Sequence, residues 1–179
     1  MSGEESRMEE LPPEIAARVG QVWYTEETTF EIQSGHIQTS CASVENGNPI
    51  YWDEKAAERI TGGPTAPLSM ISVWFRRHQW APDGVSEQMP YQIHFDLKRE
   101  LDLPEAIMTH NELVFGVPVR PGDRLTARQS LASVSDPKRT KLGVGRFWVI
   151  EQEYTNQRGE QVCFESITGY GYRRHGDDD

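Results

Sequence analysis

The chain has 179 residues, of which 36% are hydrophobic, enough for one domain with a packed core. Its formal net charge of -10 argues against binding to nucleic acid or to an anionic membrane. No apolar run approaches the ~20 residues that span a bilayer, and no basic segment precedes an apolar one at the N-terminus, so we expect a cytoplasmic protein. Cys41 and Cys163 are too few for a disulfide framework and fit a reducing compartment.

The first half of the chain predicts helices. Residues 1–13 carry four Glu and end in Pro-Pro, so we expect a flexible segment there. Helices are predicted over 14–19, over 36–45, and over 54–60 after an Asp53 cap. Residues 65–78 predict the main helix, which is apolar on nearly every side and therefore buried.

The second half predicts strands. After a long connection over residues 79–110, strands are predicted at 112–119, 124–135, 142–155 and 161–173, with turns between them. Their predicted buried faces consist of Leu125, Ala127 and Leu131; of Val144, Trp148, Ile150 and Tyr154; and of Val162, Phe164, Tyr170 and Tyr172. Helices followed by antiparallel strands indicate the α+β class. We expect one domain over residues 14–174 and a flexible acidic tail over 175–179.

Four short motifs follow one another along the chain. They are Asn48-Pro49-x-Tyr51-x-Asp53, Gly62-Gly63-x-x-Ala66-Pro67, Val119-Arg120-Pro121-Gly122-Asp123 and Lys138-Arg139-Thr140-x-Leu142-Gly143-x-Gly145-x-Phe147. In this order and spacing, the chain resembles the MaoC-like hydratases, in particular their FAS1-like dehydratase branch. It is similar to the non-catalytic subunits of heteromeric steroid enoyl-CoA hydratases.

The resemblance implies a hotdog fold, in which a curved antiparallel sheet wraps around one long central helix. The family's active-site loop reads Gly-Asp-x-Asn-Pro-x-His-x-Asp, and its first Asp and its His form the catalytic pair. In this chain those two positions are Asn46 and Tyr51. The resemblance therefore implies a subunit without catalytic residues of its own, paired in a heterodimer or heterotetramer with a hotdog chain that bears the Asp/His pair.

The altered pair matters because hydration of a trans-2-enoyl thioester needs a group that deprotonates water and then returns the proton. The Asn46 amide cannot take up a proton at neutral pH. The Tyr51 phenol, with an ordinary pKa of about 10, is a poor base. Both side chains keep the ability to form hydrogen bonds.

The resemblance also implies binding residues. Those for the acyl substrate would be Asn48, Pro49, Gly63, Met70 and Trp74. Those for the phosphates of coenzyme A would be Lys138, Arg139, Lys141 and Arg146, which lie in the half of the chain that is not acidic overall. Coenzyme A enters as part of the substrate; we expect no further cofactor and no metal, because the histidines lack ligand spacing.

Each of these residues also has a structural interpretation. Asn48-Pro49 could serve only as a turn, Asp53 as a helix cap, Met70 and Trp74 as core, and the cations as a solvated face. Two other functions stay open on the sequence. One is a self-sufficient hydratase or thioesterase that uses His36, Glu45 or Asp53, and the other is an acyl-CoA-binding module without a reaction.

Overall fold

The computed structural model describes residues 10–76, 80, 82 and 90–176. Among them lie four α-helices, α1 (Pro13–Ala16), α2 (Ser34–Ser43), α3 (Glu54–Thr61) and α4 (Gln92–Glu100). The strands are β1 (Val22–Glu27), β2 (Glu105–Phe115), β3 (Leu125–Val134), β4 (Lys138–Arg139), β5 (Gly143–Asn156) and β6 (Gln161–Arg174). The predicted flexible ends lie largely outside this part of the chain. No helix within it is long and apolar enough to cross a membrane.

All strands belong to one antiparallel sheet in the order β1-β3-β5-β6-β2, with β4 paired to β5. Buried side chains alternate along β3 and β5, because successive strand residues point to opposite faces. Gly122 and Gly159 make the connecting turns with φ of 90° and 76°, which side chains other than glycine rarely adopt. β2 pairs with β6 on one side only and forms one edge of the sheet. The predicted α+β class is confirmed.

The buried apolar residues form two clusters on the inner face of the sheet. The first cluster lies near the β2–β3 loop and contains Ile32, Ile37, Cys41, Ala66, Met70, Ile71, Trp74, Phe75, Val119, Leu125, Ala127, Tyr154, Val162 and Cys163. The second cluster lies towards the other end of the strands and contains Ile15, Ile93, Leu97, Leu103, Leu131, Trp148 and Ile150. The connection 44–75 therefore packs at one end of the sheet, and α1 and α4 pack at the other.

The helix predicted over residues 65–78 is wrong over its described part. Leu68–Met70 and Val73–Phe75 form two separate 3-10 turns, held by bonds such as Met70 N–H to the Pro67 carbonyl at 3.0 Å. Successive turns place five side chains of this segment in the first cluster, those of Ala66, Met70, Ile71, Trp74 and Phe75, while Leu68 and Val73 are exposed. Dense apolar content indicated burial correctly, but it does not distinguish a helix from a turn-rich segment. Residues 77–79 lie outside the described part.

Helix α4 also packs on the sheet, and it lies inside the stretch predicted as a long connection. Ile93 and Leu97 are fully buried at helical i, i+4 spacing, but His94 and Asp96 are buried beside them. Each of these polar side chains is anchored: His94 accepts a hydrogen bond from Trp148 Nε1 at 3.2 Å, and Asp96 accepts one from the Tyr24 hydroxyl. The mixture of polar and apolar residues hid the helix from the sequence pattern.

The strand predictions hold in part. β3, β5 and β6 match within two residues at each end, but β2 begins at Glu105 rather than at residue 112, and β1 and β4 were not predicted. On β6, Phe164 is only half-buried, while the neighbouring Glu165 is 2% exposed and occupies the interior face. On β5, Val144 is half-buried instead of buried.

Candidate active-site loop and cleft

The loop between α2 and α3 is held by its own side chains. The Asn46 Oδ1 atom accepts a hydrogen bond from Asn48 N–H at 3.1 Å, and the Asn48 Oδ1 atom accepts one from Ile50 N–H at 3.2 Å. Trp52 Nε1 donates to the Asn46 backbone carbonyl at 2.8 Å. These are Asx turns, in which a side chain replaces a backbone acceptor. Both asparagines therefore shape the loop.

Asn46 and Tyr51 do not form a proton-transfer pair. An amide has no ionisable proton near neutral pH, and the Asn46 oxygen is already engaged within the loop. Tyr51 is half-buried against the first cluster, and burial, with the nearby Cys41 thiol, raises the pKa of its phenol above the ordinary value. The phenol is therefore a hydrogen-bond donor at neutral pH and not a base.

Asp53 is the N-cap of α3, as predicted. Its Oδ1 accepts hydrogen bonds from Lys55 N–H at 2.8 Å and Ala56 N–H at 3.2 Å. This position satisfies helix donors that would otherwise lack partners. The carboxylate has a structural role that accounts for its presence.

Gly62-Gly63 ends α3 and does not open a helix. Gly62 is left-handed with φ of 66°, Gly63 has φ of 128°, and their N–H groups donate to Glu58 and Ala57 carbonyls at 3.1 and 3.3 Å. Both N–H groups are thus occupied and are not offered to a substrate oxyanion. Gly63, one of the predicted acyl-binding residues, therefore has a structural role at the end of α3.

Arg120 fixes this turn against the β2–β3 loop. Its Nη2 donates to the Thr61 carbonyl at 2.6 Å and its Nη1 donates to the Pro64 carbonyl at 3.1 Å. A Cβ on Gly63 would lie 3.1 Å from Arg120 Nη1, so the small residue lets the guanidinium approach. The sequence marked Arg120 only as part of a motif; its role as a clamp depends on a contact across 59 residues and could not be read from spacing.

A cleft lies between the start of α2, the 3-10 turn Pro49–Tyr51, the start of α3 and the β2–β3 loop. Its cavity volume is about 90 Å³. Its lining residues are Ser34, Ile37, Gln38, Ile50, Tyr51, Trp52, Asp53, Glu54, Ala57, Pro64, Thr65 and Pro121. Ligand sites usually have ~300–1,000 Å³. The cleft in a single chain is therefore too small for an acyl thioester.

The two predicted acyl-binding side chains, Met70 and Trp74, are buried in the first cluster. Trp74 Nε1 has no hydrogen-bond partner among the described residues. Trp74 also lines a narrow apolar groove that runs to the edge of the sheet beside Leu68, Phe115 and Val117. The structure thus places Met70 and Trp74 in the core, and Trp74 at the floor of a surface groove.

The predicted coenzyme A cations do not lie beside the loop. Lys138 and Arg139 pair with Gly145 and Val144 of β5, whereas the β2–β3 loop adjoins the Asn156 end of the same strand. Gly145 and Asn156 are 11 residues apart on β5, so at ~3.3 Å per residue these ends are about 36 Å apart. Lys141 is exposed near β4. Arg146 differs from the other three, because it is 3% exposed and donates to the Ser135 carbonyl at 2.8 Å.

The remaining candidate groups have structural surroundings. His36 packs edge-on against Phe30 with ring centroids 5.2 Å apart. Cys41 and Cys163 are free and buried; burial raises the pKa of both thiols, that of Cys163 to about 11, where the charge of Glu165 adds to the effect. Neither thiol is activated as a nucleophile.

The chain belongs to the family described as FAS1-like, dehydratase domain region, whose model matches residues 17–165. It is 36% identical over 124 residues to the "Probable enoyl-CoA hydratase alpha subunit" of Thermomonospora curvata. That match covers 65% of this chain but only 37% of the relative, so the chain spans little more than a third of that protein's length.

Solved structures share the fold. The ChsH1-ChsH2 complex from Mycobacterium tuberculosis matches with a TM-score of 0.76 at 20% identity, over 92% of this chain and 91% of that one. The MaoC-like dehydratase from Rhodospirillum rubrum has a TM-score of 0.55 at 20% identity, over 84% and 92%. The HadBC (3R-hydroxyacyl-ACP dehydratase) complex from Mycobacterium tuberculosis has a TM-score of 0.57 at 22% identity, over 84% and 95%. The predicted MaoC-like hotdog fold is confirmed.

Proposed function

We propose that the chain is the non-catalytic subunit of a heteromeric enoyl-CoA hydratase whose partner, a second hotdog chain, supplies the Asp/His pair. The observation that carries this proposal is the loop from Asn46 to Asp53. It keeps the folded frame of the family's active site, with Asn48 and Asp53 in place, but presents an amide and a protonated phenol where proton transfer is needed.

The edge strand β2 supports association with a second hotdog chain. It is 11 residues long, and β6 alone pairs with it among the described strands. An edge strand of this length with exposed apolar side chains tends to pair with other chains unless a specific partner covers it. Those side chains are Ile107, Met108, Val114 and Phe115, each 39% to 54% exposed. Two of the solved relatives, ChsH1-ChsH2 and HadBC, are complexes, and the curated relative is named an alpha subunit.

The size of the cleft and the position of the cations support a site shared between chains. The cleft of about 90 Å³ needs a second wall before it can hold an acyl thioester. Lys138, Arg139 and Lys141 lie at the far end of the sheet, where they could contact coenzyme A bound at a neighbouring chain's site. Arg146 is buried and is left out of this group.

In the proposed reaction, water adds across the double bond of a trans-2-enoyl thioester. The partner's base removes a proton from water, the hydroxide oxygen bonds to C3, and C2 receives the proton, which gives the 3-hydroxyacyl thioester. This chain's contribution is binding and the exclusion of water. The exposed apolar side chains of Leu68, Phe115 and Val117, which lie beside Trp74, would cover the acyl group.

The test is hydration of enoyl-CoA by the purified chain, by a candidate partner that carries Gly-Asp-x-Asn-Pro-x-His, and by both together. We expect the chain alone to be nearly inactive, because loss of acid-base catalysis costs about 10²- to 10⁴-fold. The double variant Asn46→Asp/Tyr51→His should gain activity, while each single variant should not, since both groups are needed. A turnover near ~10 per second by the unmodified chain alone would contradict the proposal.

A second assay addresses the acyl group. We expect the reconstituted pair to prefer a bulky, steroid-like enoyl-CoA over crotonyl-CoA in kcat/KM. The reason is that the exposed apolar side chains of Leu68, Phe115 and Val117 offer contact area that a short acyl chain cannot use. Equal kcat/KM values for the two substrates would contradict the bulky-substrate proposal but not the proposal of a hydratase subunit. Acyl-CoA binding without turnover in any combination of chains would instead identify a binding module.

A further inference from the structure

A row of polar side chains crosses the inner face of the sheet between the two apolar clusters. Gln129 on β3 is the register partner of Gln152 on β5, and Gln152 is the partner of Glu165 on β6. All three are buried, with 3%, 5% and 2% of their surface exposed. The row is therefore a polar strip inside the fold and not a solvated face.

The row lies on the inner face of the sheet, as its neighbours two residues away on the same strands show. Ala127 and Leu131 flank Gln129 two residues away on either side, and Ile150 and Tyr154 flank Gln152 in the same manner. Ala127 and Tyr154 belong to the first cluster, whereas Leu131 and Ile150 belong to the second. The polar row thus separates the two clusters.

Glu165 is fully supplied with hydrogen bonds at the β6 end of the row. Its carboxylate accepts from the Tyr154 hydroxyl at 2.9 Å, from Asn111 Nδ2 at 2.9 Å, and from the Tyr91 hydroxyl at 3.2 and 3.3 Å. The two glutamines differ from it. The side-chain oxygens of Gln129 and Gln152 have no hydrogen-bond partner among the described residues.

Buried polar atoms in folded proteins nearly always have hydrogen-bond partners. Apolar side chains of similar size at both positions would avoid the cost of burying amide oxygens without hydrogen bonds. Two adjacent amides with unpartnered oxygens therefore indicate that something else supplies hydrogen bonds there. Because amide oxygen and nitrogen can exchange places by rotation, the pair can offer two acceptors, two donors, or one of each. A hydroxyl or ketone oxygen matches that set.

We propose that Gln129 and Gln152 form a binding site for an oxygen substituent, a hydroxyl or a ketone, on the acyl group at a distance from the thioester. This rests on the proposed function, since it assumes that the acyl group enters the first cluster. Gln129 lies four residues along β3 from Leu125, at the loop end of the sheet. At ~3.3 Å per residue, this is about 13 Å from the end where the cleft lies. The substrate would be an oxygenated acyl chain or ring and not a plain hydrocarbon.

The experiment compares three probes by calorimetry on the chain reconstituted with the partner that carries the Asp/His pair: decanoyl-CoA, its ω-hydroxy analogue and its ω-oxo analogue. We expect one or both oxygenated probes to bind about 10-fold more tightly than decanoyl-CoA, the gain of one well-placed buried hydrogen bond. The better of the two identifies the oxygen as hydroxyl or ketone. Gln129→Leu and Gln152→Leu should each remove the preference, and the matched control Gln161→Leu, at an exposed position on β6, should retain it.

The outcomes separate this inference from the proposed function. Equal binding of all three probes overturns the oxygen site and leaves the hydratase subunit untouched. A preference that survives both glutamine variants also overturns it. A crystal structure with ordered water on both glutamine oxygens, together with no preference between probes, would show that the row is a hydration site only. Binding of none of the probes overturns the site, and the hydration assay with the partner then decides the proposed function by itself.

Discussion

Gly171 lets Trp148 lie flat against β6, and this contact gives a sharp stability prediction. Trp148 is fully buried, and an ideal Cβ on Gly171 would lie 2.2 Å from its Cη2 and 2.6 Å from its Cζ3. The same Cβ would lie 3.2 Å from Leu103 Cδ1. The indole is also fixed on its other side by the hydrogen bond to His94 at 3.2 Å. The ring is therefore held at both ends, at Nε1 by His94 and at the six-membered ring by β6.

The variant Gly171→Ala should destabilise the protein strongly. Ordinary contacts begin near 3.4 Å, so the added methyl group would need the tryptophan to shift by more than an ångström. Inserting a methyl group into a well-packed core costs ~1–3 kcal/mol, and the fixed ring places this site at the upper end of that range. The gain in backbone rigidity from replacing glycine, ~0.4–1 kcal/mol, is too small to offset it.

The assay is urea unfolding of the wild type, Gly171→Ala and a matched control, Gly35→Ala. Gly35 lies in α2, and nothing lies within 4 Å of its ideal Cβ, so the control should raise the unfolding free energy by ~0.5–1 kcal/mol. The two variants add the same methyl group and should move the midpoint in opposite directions. If Gly171→Ala unfolds within ~0.5 kcal/mol of the wild type, the described packing of Trp148 is wrong.

Three further predictions follow from single contacts. Burial and the charge of Lys98 lower the pKa of His94, so the folded state binds a proton at His94 less readily than the unfolded state does. The free energy of unfolding should therefore fall as the pH drops below about 6.5, the ordinary pKa of histidine. When unfolding is measured against pH, this fall should be smaller in His94→Gln. Asp53→Ala should lower the free energy of unfolding in urea by ~1 kcal/mol, because α3 loses its N-cap. Asp53→Asn keeps a side-chain acceptor and should lower it by only about a few tenths of a kcal/mol. Equal losses in the two variants would exclude capping as the reason. Val114→Lys places a charge on the β2 edge and should reduce association between chains, measured by light scattering. The control Val44→Lys, at a 72% exposed position after α2, should leave that association unchanged.

Local signals predicted those parts of the fold that depend on local physics. The Asp53 cap, the Gly62 end of α3 and the turns at 121–122 and 157–159 each require particular residue types at fixed offsets, and all of them are present in the structure. The long strands β5 and β6 were predicted because apolar residues recur at alternate positions along them, and burial alternates over residues 146–156 and 163–169.

The parts that could not be predicted depend on contacts between distant residues. Glu165 lies inside the sheet because Tyr91, Asn111 and Tyr154 approach it from 74, 54 and 11 residues away. A pattern rule that places Phe inside and Glu outside therefore assigns the wrong residue to the interior of β6 at this point. α4 was missed for the same reason, because its buried His94 and Asp96 have partners on β5 and β1. In both cases a satisfied polar group in the core imitates a surface position.

The same reasoning explains why the sequence could locate the candidate site but could not tell whether one chain forms the whole site. The loop 46–53 is a local structure, and its turn at Asn48-Pro49 and its helix cap at Asp53 were recognisable from residue types alone. Whether a substrate fits depends on what faces the loop across space. In the single chain, a cleft of about 90 Å³ lies at one end of the sheet, the exposed cations Lys138 and Arg139 lie at the other, and β2 forms an open edge. Under the proposed function, one acyl thioester would have to reach the cleft and the cations at the same time. Since one chain holds them apart, a second chain that covers β2 is the simplest arrangement in which they can serve one substrate.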